Sequence, residues 1–205
     1  MTAAGAAALL VSACGGGGRQ DASEPTGNFP VQVSSAKFPL SQRLAERADL
    51  VIAVRNTGRK TIPDIAVTLL DAHQRTAAQA FGQSVGGTSE VLASNSRPVW
   101  IVDRPPGPCE YSCRQGGPGG AVTAYSNTWS LGALKPGRTA TFDWGVTAVK
   151  SGAFVIRYEV AAGLNGKAKA VDANGGRPGG RFSVKIHNAP QQAYVNDQGQ
   201  VVTRQ

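Results

Sequence analysis

Long apolar runs and histidines are scarce in this sequence. No apolar run reaches the roughly 18 residues that a membrane-spanning helix needs, so we expect no segment to cross a bilayer. The two histidines, His73 and His187, each lack another His, Cys or carboxylate at the spacing of metal ligands. Surface or turn positions are the simpler interpretation of both, and we expect neither a metal site nor a cofactor.

Acidic residues are also few. The 205 residues include 13 Asp and Glu against 21 Lys and Arg, which gives a formal net charge of +8. This excess favours anionic partners such as lipid headgroups, acidic wall polymers or nucleic acid, without choosing among them. Glycine, by contrast, is abundant with 26 residues, and 12 prolines accompany it. That composition is typical of many turns and short strands rather than long helices.

Apolar residues alternate with polar ones in three segments of the first half, residues 29–38, 48–58 and 62–71. Alternation with a period of two predicts half-buried strands. The sequence NTG at residues 56–58 ends the second strand as a turn. The residues predicted to face the core are Val31, Val33, Leu50, Ile52, Val54, Ile65, Val67 and Leu69.

Turn pairs divide the second half into further strands. Ser151-Gly152 is predicted to be a tight hairpin connection. Asn165-Gly166 is predicted to be a hairpin turn, because such turns favour residues that tolerate positive φ. The residues predicted to face the core are Ala140, Phe142, Trp144, Val146, Phe154, Ile156, Tyr158 and Val160. With residues 181–186 as a last core strand, the sequence predicts an all-β, immunoglobulin-like antiparallel β-sandwich.

Two blocks that cover about half of the chain carry a family resemblance. The segments LVIAVRNTG and TIPDIAVTLLD, and later LKPGRTATFDWGVTAVKSGAFVIRYEV, resemble the bacterial immunoglobulin-like domains of the CARDB and related cell-surface type. The shared pattern is a strand that ends in Asn-x-Gly, a second strand, and L-x-P-G before two long hairpin-linked strands. Such domains are generally adhesion, spacing or binding modules, so the resemblance implies no active site and a protein that is not an enzyme.

Between these blocks the chain has a long loop-rich insertion, residues 72–131. It contains two predicted short strands, at residues 99–103 and 122–130. We expect a binding surface here, since long ordered loops often serve function. Within it, Cys109 and Cys113 are predicted to close a small disulfide in an oxidising compartment. Reduced cysteines or a pair of metal ligands are the alternatives.

The first residues of the chain carry a second resemblance. The sequence Val11-Ser12-Ala13-Cys14 follows a short apolar run and resembles the lipobox of bacterial lipoproteins. By that resemblance Cys14 becomes the lipidated first residue of the mature chain. An ordinary signal peptide, or a disordered tail with a chance cysteine, is the alternative. No Lys or Arg precedes the apolar run, which suggests a true start upstream of Met1.

The lipobox resemblance sets the expected domain organisation. Residues 1–13 would be the signal peptide. Residues 14–28 are Gly-rich and polar and are predicted to be a flexible tether, since they cannot bury themselves. Residues 29–205 would form the sandwich domain. The protein would then lie at the extracytoplasmic face of the cell membrane, held by its lipid anchor.

A catalytic motif also occurs within the insertion. Residues 82–86, GQSVG, match the G-x-S-x-G nucleophile elbow with Ser84 as the nucleophile. No apolar strand leads directly into the motif, and no alternation of strands and helices surrounds it. The sequence around the motif therefore argues against a secreted serine hydrolase that uses Ser84.

Basic residues of the second half suggest one further contact. Arg157, Lys167 and Lys169 are predicted to share a solvent face of the sheet, where they are candidate contacts with an anionic membrane surface. An ordinary solvated face is the alternative. Nucleic acid is not expected, because the aromatic residues fall on the predicted core face rather than among the exposed basic residues.

These patterns together predict a non-catalytic, lipid-anchored binding or spacer module of the bacterial cell envelope. Its expected partners are the membrane, through the anchor, and a protein or glycan ligand at the cell surface. The alternative is an accessory subunit of an envelope complex, which would dock through residues 104–120.

Overall fold

The computed structural model describes residues 24–71, 80–83, 98–107, 128–190 and 193–203. This part of the chain contains thirteen strands and no helix. Nothing in it therefore forms a helix with the length and apolarity needed to cross a membrane. The strands are β1 (Gly27–Lys37), β2 (Ser41–Leu44), β3 (Arg47–Asn56), β4 (Ala66–Asp71), β5 (Phe81–Gln83), β6 (Trp100–Arg104), β7 (Thr128–Ser130), β8 (Thr139–Ala148), β9 (Gly152–Ala161), β10 (Ala168–Val171), β11 (Gly179–Pro190), β12 (Ala193–Val195) and β13 (Val201–Thr203).

Eleven of these strands form two sheets with a shared core between them. The six-stranded sheet has the order β10-β1-β3-β8-β6-β5, and the five-stranded sheet has the order β2-β11-β9-β4-β7. Neighbouring strands are antiparallel except in three pairs, β1–β10, β2–β11 and β5–β6, each of which includes an edge strand. The predicted all-β, immunoglobulin-like β-sandwich is thus confirmed, with parallel pairing added at three of its four edges.

The apolar residues that alternate along the long strands meet between the sheets. On β3, Leu50, Ile52 and Val54 are fully buried, and the residues between them face outward. Every residue predicted to face the core is buried, apart from Val33, Ala140 and Phe154, which are half-buried against it. The period-two pattern therefore predicted the core face of each long strand correctly.

The two predicted hairpins are wrong. The connection at Ser151-Gly152 leads from β8 in the six-stranded sheet to β9 in the five-stranded sheet. The turn at Asn165-Gly166 leads back to β10 in the six-stranded sheet, and Gly166 has the expected positive φ of 78°. Crossing the sandwich lets the apolar faces of β8 and β9 cover each other from opposite sides of the core. A hairpin would place both faces on the same side.

Part of the insertion at residues 72–131 belongs to the sandwich. Its described residues supply β5, β6 and β7, so the strand predicted at 99–103 is confirmed as β6. Trp100 of β6 and Trp129 of β7 are among the largest fully buried side chains. The insertion therefore supplies side chains to the core, in addition to its expected role as a binding surface. Its remaining residues, including most of those at 104–120, lie outside the described part.

The ends of the sandwich also differ from the expected boundaries. Strand β1 begins at Gly27, inside the predicted tether, and the described structure starts at Glu24. At the other end, β12 and β13 form an unanticipated hairpin. The side chain of Asn196 caps its turn, with Oδ1 accepting hydrogen bonds from the amides of Gln198 and Gln200 at 3.1 and 2.9 Å. The sequence NDQGQ between the strand-forming triplets AYV and VVT was the signal for this hairpin.

Candidate interaction surface

Most of the predicted site residues lie outside the described part of the chain. These are Cys14, Cys109 and Cys113, together with Ser84 and His73. Lipidation, the disulfide and the serine nucleophile therefore stay predictions. Among the residues that the structure does describe, no group of three or more His, Cys, Asp or Glu side chains is arranged to hold a metal ion.

The predicted trio of basic residues does not share one face. Arg157 lies on β9 of the five-stranded sheet, whereas Lys169 lies on β10 of the six-stranded sheet and Lys167 directly precedes that strand. All three are exposed. Since the outer faces of the two sheets point in opposite directions, Arg157 and Lys169 project from opposite sides of the sandwich. The expectation of a common solvent face is corrected by this strand assignment.

Arg157 instead belongs to a group of cations on the outer face of the five-stranded sheet. In the antiparallel pairing of β9 with β11, Arg157 is directly opposite Arg181. Lys185 is exposed on the same side of β11, and Arg43 is exposed on the neighbouring strand β2. We call these four residues the cationic face. Within the described part of the chain, none of the four side chains makes an ion pair.

Two carboxylates lie near the cationic face. Glu159 is exposed two residues along β9 from Arg157. Glu46 is half-buried beside β2, where its Oε2 accepts a hydrogen bond from the backbone amide of Arg43 at 2.7 Å. Like charges directly opposite each other on adjacent strands destabilise a sheet. The arrangement therefore leaves an excess of positive charge that the fold itself does not neutralise.

The outer face of the six-stranded sheet has a different charge arrangement. Arg104 Nη2 lies 3.0 Å from Asp49 Oδ1 and 3.0 Å from Asp143 Oδ1, so one guanidinium joins carboxylates of two neighbouring strands. On the same side, Thr147 donates a hydrogen bond to Asp103. These groups are well exposed and add little to stability. They do, however, give the Arg104 guanidinium two carboxylate partners.

A shallow groove of about 500 Å³ lies beside the Arg104 group. Its walls combine apolar and polar side chains: Arg104, Pro105, Leu131, Leu134, Thr141 and Asp143 are among them. Arg104 and Pro105 come just before residues 108–127, and Leu131 comes just after them. The groove therefore lies where the expected binding segment joins the sandwich, although that segment is outside the described residues.

Glu24 joins the predicted tether to the sandwich. Its two carboxylate oxygens accept hydrogen bonds from the backbone amides of Asn165 and Ala168, both at 2.6 Å. A Cβ placed on Gly163 would lie 2.4 Å from the Glu24 carboxyl carbon, so only glycine leaves room for this contact. Charge-assisted hydrogen bonds of this kind are stronger than neutral ones. We call this contact the Glu24 clamp; sequence reasoning missed it.

Replacement of Glu24 by glutamine should weaken the clamp. An amide has one acceptor oxygen, so one of the two backbone amides would face an NH₂ group, and we expect a loss of about 1–2 kcal/mol in the free energy of unfolding. Denaturant unfolding would measure this loss. Hydrogen exchange at the amides of Asn165 and Ala168 should become faster. Asp197→Asn, the same chemical change in an exposed turn, is the matched control. Equal effects of both variants would contradict the clamp.

Comparisons with known proteins find matches among solved structures. No protein-family model and no curated protein matches the sequence. Among solved structures, a fragment of Escherichia coli alpha-2-macroglobulin from domain MG7 to the C-terminus has a TM-score of 0.43 at 12% identity, covering 84% of this chain and 21% of that chain. A CARDB domain from Pyrococcus furiosus has a TM-score of 0.38 at 14% identity, covering 78% of this chain and 86% of that chain. The native conformation of E. coli alpha-2-macroglobulin has a TM-score of 0.41 at 13% identity, and this chain spans 7% of it.

Proposed function

We propose that this chain is a lipid-anchored, extracytoplasmic binding or spacer module of the bacterial cell envelope, with no catalytic role. The observation that carries the proposal is the junction between the predicted tether and the sandwich. The Glu24 clamp fixes the end of the tether to the turn before β10. This contact would attach the tether to the folded domain at a fixed point.

The clamp leads directly into β1, the strand next to the edge of the six-stranded sheet. Strand β1 starts three residues after Glu24 and pairs with β10 on one side and β3 on the other. A force applied through the tether would therefore act first on residues 27–30, which pair with β10, and then on residues 31–37, which pair with β3. This connection suits a domain that is held at a surface while it carries or spaces a ligand. The groove beside Arg104 is the candidate place for a protein or glycan ligand.

The experiment that tests the proposal is Cys14→Ala, expressed from the native gene in its own cells. Removal of the thiol removes the lipid attachment point, so we expect the variant to leave the membrane fraction after a wash in about 1 M salt, which screens electrostatic contacts. The parent protein should stay in the membrane fraction. Retention of both proteins after the wash would contradict lipid anchoring. The Glu24→Gln variant, which keeps Cys14, is the control and should stay membrane-bound.

A further inference from the structure

The cationic face extends across three strands of the five-stranded sheet. Its four residues lie on the three neighbouring strands β2, β11 and β9. Adjacent strands are about 5 Å apart, and the four residue steps from Arg181 to Lys185 extend about 13 Å along β11. Between the cations stand small side chains, such as Ser41 opposite Lys185 and the exposed Ser183. Because Arg43 pairs with the residue two positions beyond Lys185, the four charges cross the three strands diagonally on the exposed surface of the sheet.

On the cationic face, the fold places like charges directly opposite each other. Arg157 and Arg181 face each other directly across the β9–β11 pair, and neither is ion-paired among the described residues. On the opposite side of the sandwich, Arg104 is matched by Asp49 and Asp143. What distinguishes the cationic face is therefore this directly opposed pair of cations, since the six-stranded sheet also exposes basic residues. An external anionic partner would relieve the repulsion on the cationic face.

From this geometry we propose that the cationic face docks on an anionic lipid bilayer, so that the five-stranded sheet lies against the membrane. The cations stand on an open sheet surface that can lie against a plane of headgroups, whereas a linear polymer is better held inside a groove. The inference deepens the proposed function and rests on it for the location of the domain. The ten residue steps from Cys14 to Glu24 span at most about 35 Å, which keeps the domain close to the surface.

Vesicle co-sedimentation of the full chain carrying Cys14→Ala tests the face without the anchor. We expect binding to vesicles that contain phosphatidylglycerol and none to pure phosphatidylcholine vesicles. Each cation near an anionic surface contributes roughly fivefold in affinity, so Arg157→Gln, Arg181→Gln and Lys185→Gln together should weaken binding about 100-fold. The matched control is Lys37→Gln, Arg47→Gln and Arg55→Gln, which removes the same charge from exposed positions of the six-stranded sheet. It should weaken binding less than about fivefold.

Three results would overturn the inference: no binding to the anionic vesicles, equal losses in the two triple variants, or tighter binding to a soluble polyanion such as polyphosphate than to vesicles. Thermal unfolding of each variant confirms folding, and relief of the Arg157–Arg181 repulsion should leave the melting temperature unchanged or raised. The lipid anchor is tested separately by membrane fractionation after the salt wash. A negative vesicle result would therefore not contradict the lipid anchor, and a negative fractionation result would not contradict binding of the cationic face to vesicles.

Discussion

The Trp100→Ala variant is expected to lose about 3–5 kcal/mol of unfolding free energy, a large part of what a domain of this size possesses. Trp100 is fully buried, and its ring lies 5.3 Å from Phe81, 5.5 Å from Phe38 and 5.7 Å from Phe154, centroid to centroid. These rings come from strand β5, the segment after β1, and strand β9. One side chain thereby holds together both sheets and the described part of the insertion.

A buried hydrogen bond adds to the loss at Trp100. The indole Nε1 donates to Gln42 Oε1 at 2.7 Å, and Gln42 Nε2 donates to the carbonyl of Pro39 at 2.8 Å. Gln42 is itself buried. Trp100→Phe reduces the ring and also leaves the Gln42 oxygen without a partner. It should therefore lower the unfolding free energy by about 1–2 kcal/mol more than a Trp→Phe change that only reduces the ring.

Trp129→Phe is the matched control for that comparison. The Nε1 atoms of Trp129 and Trp144 are buried and have no hydrogen-bond partner among the residues that the structure describes, and the two rings pack edge to face at 5.5 Å. Trp129→Phe removes ring volume but no hydrogen bond. Urea unfolding followed by circular dichroism measures all three variants. A Trp100→Phe loss no larger than that of Trp129→Phe would show that the Gln42 bond is not important.

The Asn56→Asp variant is expected to be less stable than the parent at neutral pH by at least about 2 kcal/mol, and to recover in acid. Asn56 is fully buried at the end of β3. Its Nδ2 donates to the carbonyls of Lys60 and Leu134, both at 2.9 Å, and its Oδ1 accepts from the amide of Gly58 at 3.0 Å. A carboxylate in this place would face two carbonyl oxygens with no proton to offer.

The direction of the pH effect follows from the pKa of the introduced carboxyl. Burial and the two carbonyls favour its neutral form, so its pKa in the folded state is raised above the unfolded value of about 3.9. Its stabilising contribution is therefore complete below about pH 4 and lost as the pH rises through the raised pKa. Unfolding free energies from pH 4 to pH 7 should fall for Asn56→Asp relative to the parent.

The control for this pH series is Asn196→Asp. The oxygen of Asn196 accepts two backbone hydrogen bonds in an exposed turn, a role that a carboxylate performs equally well. Its stability should stay level or rise between pH 4 and pH 7. If Asn56→Asp followed the same course, the two bonds from Nδ2 would not be needed for stability.

The core faces of the long strands could be predicted because alternation is a local property of the sequence. Leu50, Ile52 and Val54 need no knowledge of their neighbours to be assigned to one side of β3. The sheet to which a strand belongs is not local. The turn at Asn165-Gly166 has hairpin chemistry, yet it links two sheets, because packing of β9 and β10 across the core decides the pairing.

The roles of single polar residues could be predicted even less well, because they depend on contacts that only the tertiary structure shows. The NTG segment indicated a turn, but the burial of Asn56 depends on Leu134, which is 78 residues away. The sequence also shows Arg157 and Arg181 as basic residues of strands, but only the register of β9 with β11 places them side by side. The cationic face and the Glu24 clamp are both contacts of this long-range kind.

The most direct test of the account is mass spectrometry of the N-terminal peptide of the protein purified from its native membranes. The predicted result is a mature chain that begins at Cys14 and carries a diacylglyceryl group on the sulfur. A mature chain that begins elsewhere, or an unmodified Cys14, would contradict the lipid-anchored function.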